Sequence, residues 1–264
     1  MIKGILTGSL LLLCTATTCI AQVQDSLAVI QAQQLALKNI QQEIKPVKFR
    51  PAQFVAPIVL MGYGFATVYN NGALKELDQS TRAELQEDHP LFAAHVDDYI
   101  QFAPALAVYG LNLSGIKGRH NLLDASMLYV TSAAIMGLSA HFVKNGVQRL
   151  RPDNSGFNSF PSGHTASAFA SAEFLYQEYK GISPWYGYAG YFVATATGTL
   201  RMYNNKHWFS DVVAGAGFGI ASTKIAYLVY PYIRRVFTGK SVQHLSLMPY
   251  QQDGANGFIA SYNF

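Results

Sequence analysis

Apolar residues collect into six long stretches, near 52–70, 100–117, 122–143, 162–178, 185–200 and 209–230. Stretches of this length, apolar on most sides, read as buried or membrane-embedded helices, because strands seldom run beyond about ten residues. Gly and Ser interrupt them, Glu173 sits in the fourth and Lys224 in the last. None is therefore the clean run of ~20 apolar residues that marks a simple membrane span. Small residues suit close helix packing in lipid and in water alike. The pattern predicts an all-α chain with about six apolar core helices over residues 51–240, membrane-embedded in preference to soluble.

The two ends differ from this core. Residues 1–21 read as an export signal: Lys3 supplies the charge, Ile5 to Leu13 the apolar run, and Cys19-Ile20-Ala21 a small-residue cleavage pattern. An uncleaved membrane anchor is the other reading. Residues 22–50 are rich in Gln, with Leu27, Ile30, Leu35, Leu37, Ile40 and Ile44 at partly helical spacing, and predict an amphipathic helix ended by Pro46. A polar, acidic segment from Lys75 to Asp98 separates the first two apolar stretches. Residues 241–264 alternate apolar and polar around Asp253-Gly254 and Asn256-Gly257, which predicts a short hairpin in a C-terminal tail.

Composition sharpens this picture. Half the chain is hydrophobic and 13% is charged, about half the usual charged share of ~25%. The net charge of +4 is small and scattered, and no basic run with interleaved aromatics occurs, so a nucleic-acid partner is excluded. Both cysteines, Cys14 and Cys19, lie in the signal segment, so cleavage after Ala21 leaves no thiol for disulfides, redox work or metal.

Three clusters carry chemistry. In "KNGVQRLRP", Lys144 to Pro152, basic residues follow the end of an apolar stretch; alone this is ordinary flanking charge. In "PSGH", Pro161 to His164, Ser162 can cap a helix whose free N–H groups and positive end also suit an anion. Gly163 lets backbone approach a ligand, and His164 adds a ring that titrates near neutrality. In "LRMYNNKHWFSD", Asp211 follows His207 by four residues, one helical turn, so a hydrogen bond between them could fix the ring's tautomer. Each cluster taken singly also fits a purely structural role.

Together, Lys144 with six residues before Arg151-Pro152, then Pro161-Ser162-Gly163-His164, then Arg201, five residues, His207, three residues and Asp211, resemble the signature of the type 2 phosphatidic acid phosphatase (PAP2) superfamily. That superfamily includes lipid phosphatases, soluble class A acid phosphatases and vanadium haloperoxidases. The resemblance covers about residues 100 to 230. It implies a helical bundle with the motifs converging at one end, His207 as nucleophile, Asp211 orienting it, and His164 as proton donor. It also implies that Lys144, Arg151 and Arg201, with the backbone at Ser162 and Gly163, hold the phosphate oxygens, with no metal and no cofactor. Leu200 departs from the serine usual before the arginine, which removes one minor phosphate contact. His89, His95, His120, His141 and His244 match no motif spacing.

The implied activity is hydrolysis of a lipid phosphate or diphosphate, of phosphatidate, polyprenyl diphosphate or lipid A type, through a phosphohistidine. A soluble periplasmic acid phosphatase for small phosphomonoesters is the alternative, and a phosphate-binding protein without turnover is a third reading. Lys117, Arg119, Lys180, Arg234, Arg235 and Lys240 share one side if 100–117 and the later stretches span. That arrangement predicts an exported bacterial protein of the inner membrane with its site facing the periplasm. A cleaved signal combined with a spanning 52–70 would reverse it.

Overall fold

The computed structural model describes residues 29–31, 34, 49–70, 72–238, 245–252 and 255–262, with side-chain surroundings as far as Arg234. The chain divides into two units, Met1–Pro46 and Val47–Phe264. In the first unit, residues 29–31 and 34 are helical, inside the amphipathic helix expected over 22–50. The expected signal segment, both cysteines and His244 lie outside the described residues.

The second unit is helical, with one hairpin. After a 3-10 turn, Pro51–Phe54, come α1 (Val55–Tyr69), α2 (Ala73–Asp88), the short α3 (Asp97–Ile100) and α4 (Ala103–Leu113). Then follow α5 (Leu122–Val147), α6 (Gly163–Tyr179), α7 (Trp185–Tyr203) and α8 (Phe209–Thr238). Helix α6 is the hub and packs on α4, α5, α7 and α8, while α1 lies against α8. These six helices form the bundle; α2 and α3 are the polar segment that the hydrophobic pattern leaves between them.

Side-chain size explains why α6 is central. It presents Ala166, Ala168, Ala170, Ser171 and Ala172, all buried, so neighbouring helices approach it closely. Helix α8 answers with glycines four residues apart. A Cβ on Gly215 would come within 2.7 Å of the Ser162 carbonyl oxygen, and one on Gly219 within 2.2 Å of the Ala166 carbonyl oxygen. This small-xxx-small contact draws the start of α8 onto the start of α6.

The outer surface is unusually apolar. Phe142 on α5 and Phe192 on α7 are 71% and 75% exposed, and Val130, Leu138 and Trp185 also face outward. Among the described residues, three helices are long and apolar enough to cross a membrane: Pro51–Tyr69, Leu122–Val147 and Phe209–Arg234.

Charge is folded inward. Glu173 in α6 accepts from Lys224 Nζ at 2.7 Å and Gln177 Nε2 at 2.5 Å, and from the Tyr191 hydroxyl. Glu178 accepts from His120 Nδ1 at 2.7 Å and from the Tyr227 hydroxyl. Asp124 meets Arg234 Nε at 2.9 Å and the Tyr230 hydroxyl at 2.5 Å. The first two clusters lie in the C-terminal half of α6 and the third at the N-terminal end of α5, so all three sit away from the first turn of α6. The residues that break the apolar pattern at Glu173 and Lys224 are thus partners, as buried charges must be.

The hairpin pairs β1 (Leu245–Gln252) with β2 (Ala255–Tyr262), Leu245 opposite Tyr262 and Gln252 opposite Ala255. Asn256 and Gly257 lie within β2, so of the two expected turn dipeptides only Asp253-Gly254 falls between the strands.

Candidate active site

The end of α5 supplies the first cation. Gln148 takes a left-handed conformation (φ 48°) and its N–H closes on the Lys144 carbonyl, which stops the helix and leaves Lys144 in its last turn. Lys144 Nζ donates to the Asn158 carbonyl oxygen at 2.6 Å, and Arg151 Nε donates to the Asn158 side-chain oxygen at 2.7 Å. One asparagine thus gathers two of the cations expected from the sequence.

Asp211 is fully buried and fully occupied. Oδ1 accepts from Arg149 Nη1 at 2.7 Å, and Oδ2 accepts from Ser159 Oγ at 2.5 Å and the Trp208 N–H at 2.9 Å. Arg149 in turn donates to Ser210 Oγ at 2.7 Å and to Asp78 Oδ2 at 2.6 Å. Asp78, on α2, also receives the Ser210 N–H at 2.8 Å. His207 Nδ1 lies 3.8 Å from Asp211 Oδ2, too long for a hydrogen bond, and has no partner among the described residues. The direct bond expected from the i, i+4 spacing is therefore replaced by a close charge. The carboxylate is held by Arg149, Ser159 and Trp208 instead, and points at the ring without bonding it. Burial pushes the His207 pKa down to about 4, with Lys144 and Arg151 acting the same way and Asp211 acting against them.

Ser162 caps α6. Its Oγ accepts from the Thr165 N–H at 3.5 Å and from Thr165 Oγ1 at 2.9 Å, and its own N–H donates to the Asp211 carbonyl at 3.0 Å. That bond joins the starts of α6 and α8. In front of Gly163 there is open space: a Cβ there would meet nothing within 4 Å.

His164 and Arg201 face two carboxylates from α3. His164 Nε2 lies 2.7 Å from Asp98 Oδ1, and Arg201 Nη1 lies 2.7 Å from Asp97 Oδ2 and 3.8 Å from Asp98 Oδ1. Asn204, one turn beyond Arg201, clamps this segment. It accepts from the Ala94 N–H at 2.9 Å, and donates to the Ala94 carbonyl at 2.8 Å and to Asp97 Oδ1 at 3.3 Å. Asp97, Asp98 and His164 offer ligand atoms within 4.8 Å of one another, but the Arg201 guanidinium already fills the cation position beside them.

The cations act on each other. Arg151 is pushed below the ordinary arginine value by burial and then by Arg201, while Asp153 and Asp211 work against this. The charges of Arg151, Asp211 and Arg201 all reach Lys144. Mutually repelling cations beside a capped helix N-terminus form a site whose repulsion an anion relieves. Leu200, the departure from the motif, faces elsewhere: with Phe92, Phe192, Thr199 and Tyr203 it lines an apolar groove of about 420 Å³.

Sequence reasoning named Lys144, Arg151, Ser162, Gly163, His164, Arg201, His207 and Asp211. It missed Arg149, Asp78, Asn158, Ser159, Asp97 and Asp98. Arg149 lies inside the first cluster and could have been noticed there. The α3 carboxylates had only one signal, an adjacent Asp pair just before an apolar stretch.

Residues 125–235 match the PAP2 superfamily. A lipid A 1-phosphatase of Porphyromonas gingivalis is 40% identical over 149 residues, 56% of this chain and 34% of that protein. A probable diacylglycerol pyrophosphate phosphatase of Schizosaccharomyces pombe is 30% identical over 49% of this chain and 60% of its own length. A lipid A 1-phosphatase of Rhizobium etli is 32% identical over 38% of this chain and 48% of its own length. The matched stretch thus spans from a third to three fifths of these relatives. The crystal structure of a transmembrane PAP2-type phosphatidylglycerolphosphate phosphatase from Bacillus subtilis aligns at 18% identity and a TM-score of 0.46, covering 68% of this chain and 98% of that one.

Proposed function

The chain carries a PAP2 superfamily domain over residues 125–235, and from that premise we propose that it is a membrane-embedded phosphatase of lipid phosphates or diphosphates. The observation that carries this reading is the cluster of repelling cations around a neutral, buried imidazole at the start of α8. Such a ring is a nucleophile at neutral pH, and Lys144 and Arg151, hydrogen-bonded to the neutral Asn158, gain a counter-anion when a phosphate arrives. The apolar outer surface and the groove beside Leu200 suit a substrate with hydrocarbon chains. The three named relatives, two lipid A 1-phosphatases and a probable diacylglycerol pyrophosphate phosphatase, favour the same substrate class.

In the proposed reaction Nε2 of His207, the nitrogen opposite the one that faces Asp211, attacks phosphorus while the bond to the leaving oxygen breaks. The electron pair of that bond goes to the oxygen, which takes a proton from His164. Water then attacks the phosphohistidine and gives a proton back to His164, and the P–N electrons return to His207. Lys144, Arg151 and Arg201 hold the equatorial oxygens, so turnover survives EDTA. The site faces the periplasm in this reading, because Lys117, Arg119, Lys180 and Arg234 then collect on the cytoplasmic side.

The test is phosphate release from a panel of lipid and soluble phosphates by the membrane fraction, wild type beside His207→Ala. Wild type releases phosphate from lipid esters or anhydrides, with or without EDTA. His207→Ala loses activity by on the order of 10⁴-fold or more, as removal of a nucleophile does. Rapid quenching of the wild type with ³²P-labelled substrate traps an acid-labile, base-stable label. Full activity in His207→Ala, or no release from any ester or anhydride, overturns the reading.

A further inference from the structure

The carboxylates of α3 lie outside the matched stretch, yet one of them holds the proton donor. We propose that Asp98 is the positioning residue of His164: it fixes the Nε2–H, favours the protonated ring, and leaves Nδ1–H as the proton delivered to the leaving oxygen. This rests on the phosphatase reading above.

The surroundings of His164 need such a partner. The ring sits in the first turn of α6, beside the positive end of the helix, with Arg201 acting on it from α7. Burial, a helix N-terminus and a guanidinium all disfavour imidazolium. A general acid must nevertheless carry its proton at working pH. The anions that face the ring are Asp97 and Asp98, both from α3. Asp97 is engaged 2.7 Å from Arg201, while Asp98 Oδ1 is 2.7 Å from His164 Nε2. Its other oxygen is 3.7 Å from His95 Nδ1. The segment is held in place from the end of α7 through Asn204, and by Gln101 Nε2, which donates to the Asp98 carbonyl at 2.7 Å. With Nε2–H on Asp98, the ring loses the Nδ1 proton as the P–O bond breaks. It is left as the neutral tautomer that can take a proton from water in the second step.

The experiment compares wild type, Asp98→Asn and Asp98→Glu on a lipid phosphate and on p-nitrophenyl phosphate, whose leaving group departs without protonation. Asp98→Asn lowers kcat on the lipid ester by about 10- to 100-fold, part of what general acid catalysis supplies, with KM little changed. Its loss on the nitrophenyl ester is several-fold smaller. The basic limb of its kcat profile moves down by about one pH unit, and Asp98→Glu restores most of both. Equal losses on the two esters indicate a merely structural role and overturn the proposal. So does a fall in KM with kcat kept, which would make Asp98 only a competitor for the phosphate site. If wild type releases no phosphate, the phosphatase reading fails instead. Titration of the His164 ring by NMR then still decides the pairing: Asp98→Asn lowers its midpoint by about one unit, and an unmoved midpoint refutes it.

Discussion

His207 is 3% exposed, and its Nδ1 lacks a hydrogen-bond partner among the described residues. Because burial pushes its pKa down to about 4, the ring stays neutral through the physiological range, and in the proposed reaction it is lost as a nucleophile only as pH falls toward that value. The profile of kcat/KM reports the free enzyme. Corrected for the substrate's own ionisation near pH 6, it shows its acid limb near 4; a protein limb between 6 and 7 would refute the buried-ring account. At this scale the sequence disclosed residue types and spacing but not partners. Arg149 meets Asp78 across 71 positions, and Asp78 meets Ser210 across 132. No periodicity connects residues so far apart. The short His207 to Asp211 spacing misled in the opposite way: it promised a bond, whereas three long-range and local donors had already claimed the carboxylate.

Among the elements, α6, α7 and α8 were legible as helices because their apolar runs are too long for strands. Their relative placement was not. It depends on Gly215 and Gly219 lying against the backbone of α6, and a glycine in a sequence does not say which neighbour it admits. Gly219→Ala is the sharper probe, since the new methyl would sit 2.2 Å from a carbonyl oxygen that cannot rotate away. Overpacking of this kind costs about 1–3 kcal/mol, read as a lower midpoint of thermal unfolding in detergent. An unchanged midpoint together with unchanged activity would show that the two helices are not in such contact. The acidic segment from Lys75 to Asp98 was the least legible element. It reads as a polar connection, yet α2 and α3 bring Asp78, Asp97 and Asp98 to the site, because carboxylates there balance cations contributed by other helices.

For the molecule as a whole, the distribution of polarity is the deciding feature: Asp124, Glu173 and Glu178 are paired inside the bundle, aromatic and aliphatic groups face outward on α5 and α7, and exposed carboxylates sit on α2. Such a body belongs in lipid. Sodium carbonate washing therefore leaves it in the membrane pellet, and release into the supernatant would defeat the membrane reading. The pattern of hydrophobic residues anticipated the helical class. It undervalued the spans, because an isolated Glu173 or Lys224 looks costly until its partner is known. The three buried ion clusters have one more consequence. A frame pinned at both ends cannot splay. These clusters tie α5, α6, α7 and α8 far from the first turn of α6. The Ser162 N–H to Asp211 bond and the Arg149 to Asp211 pair tie α6, α8 and the end of α5 beside it, so His164 and His207 ride on a frame that keeps its spacing.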